Sequence, residues 1–170
     1  MAIVPDPLLK ASKLPIIIGM IYILLHFSFV YLPNAFFVIQ DPAISAIGTV
    51  LAILSPFFFF IVFGWAGWRA SRGFKMGIVD SGSVSALSYV VVTSISIALT
   101  VVFIISLPLI FHLIHGPAAT SDYLESNEVK TAGFGLLAVL VAYATGQLFF
   151  GALVYFGIGC LAAFLAKRMK

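Results

Sequence analysis

Residues 42–75 read PAISAIGTVLAILSPFFFFIVFGWAGWRASRGFK, and this stretch decides the fold class. Its first 27 residues contain no Asp, Glu, Lys or Arg, and a basic cluster then begins at Arg69. About 20 apolar residues in an α-helix cross roughly 30 Å of hydrocarbon. Because backbone groups in lipid must pair within their own segment, the stretch predicts a membrane-spanning helix. Gly73 and Gly77 are predicted to break that helix after the basic cluster.

Three further runs without charged residues follow the same pattern, at 14–40, 81–121 and 131–166. We predict an all-α integral membrane protein with four transmembrane helices, little extramembrane structure and one domain over 1–170. The predicted spans are 14–33, 44–68, 84–111 and 134–166. A polar outer loop is predicted at about 116–133, in which the spacing of Asp122, Glu125 and Glu128 suits a short helix. The composition excludes a soluble globular domain, because only 9% of the residues are charged and 62% are hydrophobic.

Basic residues predict the orientation of these spans. If each run crosses once, eight of the nine Lys and Arg residues fall on one side, which is expected to be the cytoplasmic side. Both termini are then cytoplasmic, and the lack of a targeting signal favours a prokaryotic plasma membrane. Since these residues flank spans and form no basic stripe, we expect no nucleic-acid partner. The expected partners are membrane lipid and other membrane-protein subunits or further copies of the chain.

Two tryptophans and two arginines share one helix face at the end of the second span, with spacing i, i+3, i+4 and i+7. They are Trp65, Trp68, Arg69 and Arg72. Indole rings favour the headgroup region, and guanidinium groups meet lipid phosphates there. We predict a membrane-interface anchor, with a specific lipid or protein site as the alternative.

Small and hydroxyl-bearing residues predict how the third and fourth spans pack. Such residues allow close approach of helices and hydrogen bonds between them in a membrane. The predicted packing residues are Ser85, Ser88, Thr93, Ser96 and Thr100 in the third span, and Gly135, Ala138, Ala142 and Gly146 in the fourth. A hydrated path for a solute along the hydroxyl stripe is the alternative interpretation.

Histidines in the outer half of the predicted bundle are the candidate ligands. His26 lies within the first span, where an ionisable side chain is costly unless it is satisfied. His112 and His115 lie near the end of the third span, and Asp122 or Glu125 could add oxygen ligands to a metal. Their spacing matches no defined metal motif, and no cofactor is specified. The hypotheses are a metal site, a tetrapyrrole ligand at His26, or neutral histidines with ordinary hydrogen-bond partners.

No catalytic motif such as GxSxG, HExxH or CxxC is present, so we do not expect an enzyme. Sparse polar chemistry and 17 phenylalanines favour a non-catalytic accessory or structural subunit of a larger membrane protein complex. A small oligomeric transporter or channel is the second hypothesis, supported by the hydroxyl stripe, by Gln147 and by Pro56, which is predicted to kink the second span. A metal- or tetrapyrrole-binding redox subunit is the third.

Overall fold

The computed structural model is all-helical over the residues that it describes, which are 6–31, 42–125 and 127–169. Side chains are described at 6–29, 46–103, 106 and 141–169. Helix α1 comprises Asp6–His26 and continues as a π-helical segment, Phe27–Tyr31; α2 comprises Pro42–Gly73, α3 Ile78–Glu125 and α4 Asn127–Arg168. Each of the four contains a segment long and apolar enough to cross a membrane, which confirms the predicted all-helical fold with four long apolar helices.

The helices are longer than the predicted spans. Helix α1 begins at Asp6, in the first turn, where a carboxylate is favoured by the helix dipole. The residues predicted as a polar outer loop are helical up to Glu125 and again from Asn127. Hydropathy reports where the chain is apolar, whereas helical hydrogen bonding continues into polar sequence. Helix α2 does end at Gly73, and α3 begins directly after Gly77, as the two glycines predict.

Contacts between helix ends show that α1 and α3 begin at the end of the bundle where α2 and α4 finish. The Arg69 Nη1 atom donates to the Ala11 carbonyl near the start of α1, at 3.1 Å. The Arg72 Nε and Nη2 atoms donate to the carbonyls of Ala166 (3.1 Å) and Met169 (2.7 Å) at the end of α4. We call this the basic end, because it holds Lys10, Lys13, Arg69, Arg72, Lys75, Lys167 and Arg168.

Arg69 also compensates for a proline within α1. Pro15 has no backbone N–H, so it cannot donate to the carbonyl of Ala11, four residues earlier. A carbonyl that loses its partner away from water is costly, and the Arg69 guanidinium supplies the missing donor. The hydrogen bond therefore ties α2 to α1 at a point where the α1 ladder is interrupted.

Three glycines close the bundle near the basic end. Gly67 of α2 faces the backbone of Gly159 in α4, too closely for a Cβ atom to fit between them. A Cβ atom on Gly82 of α3 would overlap the Cys160 Sγ atom and the Phe156 carbonyl of α4. Without side chains at these points, the helix backbones can approach each other directly. We call Gly67, Gly82 and Gly159 the glycine seam.

Buried serines of α3 complete this closed half. Ser81, Ser85 and Ser88 are fully buried, and each hydroxyl donates to a carbonyl at 2.7 Å. The acceptor for Ser85 is the Phe63 carbonyl of α2, so this bond joins two helices. The other two serines bond to carbonyls four residues earlier in the chain. Beyond this layer lies the fully buried Phe63 ring, and past it the space between the helices is no longer filled.

Candidate functional site

A cavity of about 650 Å³ lies between all four helices, in the half of the bundle away from the basic end. Its volume is in the range of about 300–1,000 Å³ that ligand sites typically have. The apolar part of its lining includes Ile23, Phe27, Phe59, Ile97 and Val101. The polar part comprises Tyr22, His26, Ser55, Tyr89, Thr93, Ser96, Thr100, Tyr143, Gln147 and Tyr155. The cavity is therefore amphipathic.

Tyr22 of α1 forms one wall together with α2. Its ring stacks on Phe58, with the ring centroids 4.0 Å apart, and its hydroxyl donates to the Leu51 carbonyl at 2.6 Å. Ser55 of α2 lines the cavity as well. Pro56 lies beside this site and cannot donate a helical hydrogen bond within α2. The wall thus combines aromatic faces with a network of polar groups.

Tyr89 and Tyr155 form the floor that separates the cavity from the closed half. Their rings lie 4.5 Å apart between centroids, and both contact the Phe63 ring, at 5.7 and 5.1 Å. The Tyr89 hydroxyl donates to the Gln147 carbonyl at 3.0 Å. Gly151 makes this contact possible, because a Cβ atom there would overlap the Tyr89 phenol. The floor is consequently built from rings that hold α2, α3 and α4 together.

The hydroxyl stripe predicted in the third span divides at this floor. Ser85 and Ser88 are buried in the closed half, whereas Thr93, Ser96 and Thr100 line the cavity. The Thr100 hydroxyl donates to the Ser96 carbonyl at 2.9 Å. The first part of the stripe thus lies between helices, and its second part faces open space.

The described cavity lining carries no fixed charge. None of the described residues around the cavity is Asp, Glu, Lys or Arg. An ion that left water for this space would find no counter-charge among them, and moving an unpaired charge out of water is expensive. Polar neutral groups and aromatic faces remain to bind a ligand.

His26 is the one predicted histidine whose side chain is described. It is the last α-helical residue of α1, lines the cavity and stacks on Tyr22, with the ring centroids 6.2 Å apart. The π-helical segment starts at the next residue, and such segments frequently occur at functional sites. Among the described residues, no group of three His, Cys, Asp or Glu is placed to hold a metal. The side chains of His112, His115, Asp122 and Glu125 lie outside the described residues.

The predicted interface anchor lies at the basic end, and its arginines contact both aromatic rings and backbone. Arg69 lies over the Trp65 ring at 5.7 Å, and Arg72 lies over the Trp68 ring at 5.3 Å. The same guanidinium groups bind the carbonyls of α1 and α4 described above. Sequence periodicity placed these four residues on one face, but it did not show that the arginines connect three helices.

The small residues predicted in the fourth span face away from the cavity where they are described. Ala142 is exposed, and a Cβ atom on Gly146 would meet nothing within 4 Å. Gly135 and Ala138 lie outside the part of the chain whose side chains and burial are described. Close contact between α3 and α4 occurs further along, at Gly151 and Gly159, where Tyr89 and Ser85 pack against the glycine backbone.

Sequence reasoning missed the tyrosines of the site. A signal was present, because Tyr89, Thr93, Ser96 and Thr100 follow each other at i, i+4, i+7 and i+11 and so continue one helix face. Tyr143, Gln147 and Tyr155 repeat at multiples of four in the same way, and all of them line the cavity. Reading polar aromatic residues together with hydroxyl residues would have extended the predicted face to the site.

No match to this chain was found among protein-family models, curated proteins or solved structures.

Proposed function

We propose that this chain is a small membrane transporter whose substrate site is the cavity between its four helices. The observation that supports the proposal is the placement of Thr93, Ser96 and Thr100 along an open space of about 650 Å³. A protein that served only to pack against others would gain nothing from a polar cavity among its own helices, because unfilled space forfeits packing contacts. The substrate is uncharged, since the described lining offers no counter-charge.

A pair of alanine substitutions tests this proposal. Ala144 lines the cavity, whereas Ala142, two residues earlier on α4, is exposed and lies outside the cavity lining. Ala144→Phe should fill part of the cavity, and Ala142→Phe adds the same ring on the outer surface. Vesicles containing each variant are incubated with a mixture of small uncharged metabolites, and the entrapped compounds are quantified by mass spectrometry.

We expect at least one solute to enter faster with the native protein and with Ala142→Phe than with Ala144→Phe. Equal entry of every solute in all three preparations would contradict the proposed transport. Because both variants carry the same added side chain and are compared at equal protein content per vesicle, a difference between them cannot come from the added hydrophobicity alone.

A subunit of a larger membrane complex is the second candidate, and the outward side of α4 favours it. We call Ala142, Gly146, Phe149, Leu153 and Gly157 the outer face of α4. A Cβ atom added to Gly146 or Gly157 would have no neighbour within 4 Å in the described chain, while Phe149 and Leu153 are largely exposed. Small residues at such spacing allow another helix to approach closely. Native mass spectrometry in mild detergent should then detect a heteromer that Ala142→Phe dissociates and Ala144→Phe leaves intact.

We further propose that the basic end faces the cytoplasm of a prokaryotic plasma membrane. The clustering of Lys and Arg at this end supports the orientation, because such residues are retained on the cytoplasmic side. A Lys75→Cys substitution in a Cys160→Ala background places a single thiol in the turn between α2 and α3. A membrane-impermeant maleimide should label that thiol only after the cells are opened, and labelling of intact cells would contradict the orientation.

A further inference from the structure

The cavity has an open side, and the exposure of its lining residues shows where that side lies. Every described lining residue on α1 and α3 is buried or half-buried. The exposed lining residues all belong to α2 or α4, and they are Ala52, Pro56, Val141, Tyr143 and Gln147. The cavity therefore opens between α2 and α4, and we call these five residues the lateral opening.

The lateral opening lies at the depth of the hydrocarbon. Helices α2 and α4 meet at Gly67 and Gly159, near the basic end. Pro56 and Gln147 precede these glycines by 11 and 12 residues, so at about 1.5 Å per residue both lie about 17 Å further from the basic end. A hydrocarbon layer of about 30 Å that starts near the glycines includes this level. Both residues also belong to the segments that are long and apolar enough to cross a membrane.

Large apolar side chains flank the lateral opening. Ile53 and Phe57 of α2 are 63% and 65% exposed, and Phe150 of α4 is 68% exposed. In a membrane such side chains contact acyl chains. A polar solute dissolved in water would have to leave water for hydrocarbon to reach this opening, which is costly. A molecule already dissolved in the lipid reaches it by diffusion in the plane of the membrane.

A polar pair nevertheless lies within the lateral opening. The Gln147 Nε2 atom donates to the Tyr143 hydroxyl at 2.6 Å, and both residues are exposed. This bond does not use the phenol proton, the second amide N–H or the amide oxygen. Polar groups that face hydrocarbon without partners are costly, so the pair favours a ligand whose polar head lies beside it. Since the pair offers both donors and an acceptor, a head with hydroxyl groups matches it best.

We propose that the cavity takes a neutral lipid with a hydroxyl-bearing head, such as a monoacylglycerol, directly from the membrane through the lateral opening. The head lies beside Tyr143 and Gln147, facing the hydroxyl residues of α3, and the acyl chain extends between α2 and α4 into the bilayer. The head is uncharged because the described lining carries no fixed charge. This inference rests on the proposed function, because it names the substrate class and the entry route of the same site.

Competing ligands separate the contributions of head, chain and charge. The purified full-length chain in phosphatidylcholine vesicles is photolabelled with a monoacylglycerol that carries a diazirine beside its ester, and labelled peptides containing Thr93 or Ser96 are quantified by mass spectrometry. Monoolein, methyl oleate and oleoyl glycerol phosphate share one acyl chain, and glycerol is the head alone. At equal mole fraction in the vesicles, net hydrogen bonds from the head predict that monoolein competes about tenfold more strongly than methyl oleate. Oleoyl glycerol phosphate should compete weakly, and glycerol should not compete.

Variants locate the entry route. Ala52→Phe places a ring in the lateral opening and should reduce labelling of these peptides. Ala142→Phe adds the same ring at an exposed alanine outside the cavity lining, and it should leave labelling unchanged. Tyr143→Phe combined with Gln147→Leu removes the polar pair and should bring methyl oleate close to monoolein. If these variants do not fold, the competition series on the native protein still decides the question.

The outcomes separate the inference from the proposed function. Labelling that Ala144→Phe and Ala52→Phe both reduce, with monoolein the strongest competitor, supports both. Labelling that Ala144→Phe reduces but Ala52→Phe does not, or that glycerol blocks as well as monoolein, overturns entry from the membrane and leaves the proposed site standing. Methyl oleate or oleoyl glycerol phosphate as strong as monoolein overturns the neutral hydroxyl head. Equal labelling of the native protein and of Ala144→Phe overturns the site, and the proposed function with it.

Discussion

Replacing Gly67 by alanine tests whether backbone contact closes the basic end. An added Cβ atom would lie 2.5 Å from the Gly159 carbonyl oxygen and 2.6 Å from the Gly159 Cα atom. Ordinary van der Waals contact for a Cβ atom begins at 3.4 Å. Helices α2 and α4 must therefore separate by about 1 Å, because neither contact is a side chain that can rotate away.

Two effects of opposite sign set the expected size of the change. Alanine is favoured over glycine by about 1 kcal/mol in a helix interior. Overpacking costs about 1–3 kcal/mol, and separation of the helices also lengthens the bonds from Arg72 and Ser71 to carbonyls of α4, each worth about 1 kcal/mol. We expect Gly67→Ala to lower the free energy of unfolding by about 2 kcal/mol.

The matched control is Gly146→Ala, at a position where a Cβ atom meets nothing within 4 Å. Only the preference of helices for alanine over glycine then acts, so the free energy of unfolding should stay the same or rise by up to about 1 kcal/mol. Both variants are unfolded in mixed micelles by titration with a denaturing detergent, and helix content is followed by circular dichroism. Equal stability of the two variants would refute the proposed backbone contact between α2 and α4.

Three further substitutions address single contacts, and the same unfolding titration measures them. Arg69→Ala should lower the free energy of unfolding by about 1–3 kcal/mol, because it removes the donor to the Ala11 carbonyl, which Pro15 cannot satisfy. This loss of stability should be smaller in a Pro15→Ala background. Strictly additive effects of the two substitutions would contradict the coupling. Tyr89→Phe should cost about 0.5–1.5 kcal/mol through its lost bond to the Gln147 carbonyl, and an unchanged stability would remove that bond from the floor of the cavity. Lys75 has a left-handed backbone with φ of 53°, so Lys75→Gly should stabilise by about 0.5–1 kcal/mol, whereas a destabilised variant would show that the lysine side chain matters more than its backbone.

The number and type of helices could be predicted from sequence because lipid imposes a simple rule. Four uncharged runs predicted four helices long and apolar enough to span a membrane, and glycines marked the end of α2. The helices extend beyond the predicted spans where the chain is polar, as in 116–125, since hydropathy marks only the apolar part of a helix. Pro15 could be recognised in the sequence as an interruption of the α1 hydrogen bonds. The Arg69 side chain that compensates for it lies 54 positions away, and only the packing of the helices brings the two together.

The site could be predicted only in part, because a chain this apolar hides which helix face points inward. Thr93, Ser96 and Thr100, which the hydroxyl stripe places on one face, line the cavity together. Glycines are different: Gly146 and Gly159 look alike in sequence, yet the first faces open space and the second lies in the glycine seam. Their difference depends on how α4 is rotated against α3. That rotation is set by contacts such as the one between Tyr89 and Gly151, which no local pattern reveals.

In the proposed transporter, the asymmetry of the bundle determines where passage of a solute would be limited. The cavity ends at Tyr89 and Tyr155, and beyond them the glycine seam brings helix backbones into contact. Since a backbone contact contains no side chain that can swing aside, a path to the basic end requires whole helices to separate. The hydrogen bonds that hold α2 to α4 there, from Ser71 and Arg72, are each worth about 1 kcal/mol, and the packing lost at the glycine seam adds to the cost of separation. Gly67→Ala, which wedges these helices apart outside the cavity, should therefore change the rate of transport without changing the affinity for the solute.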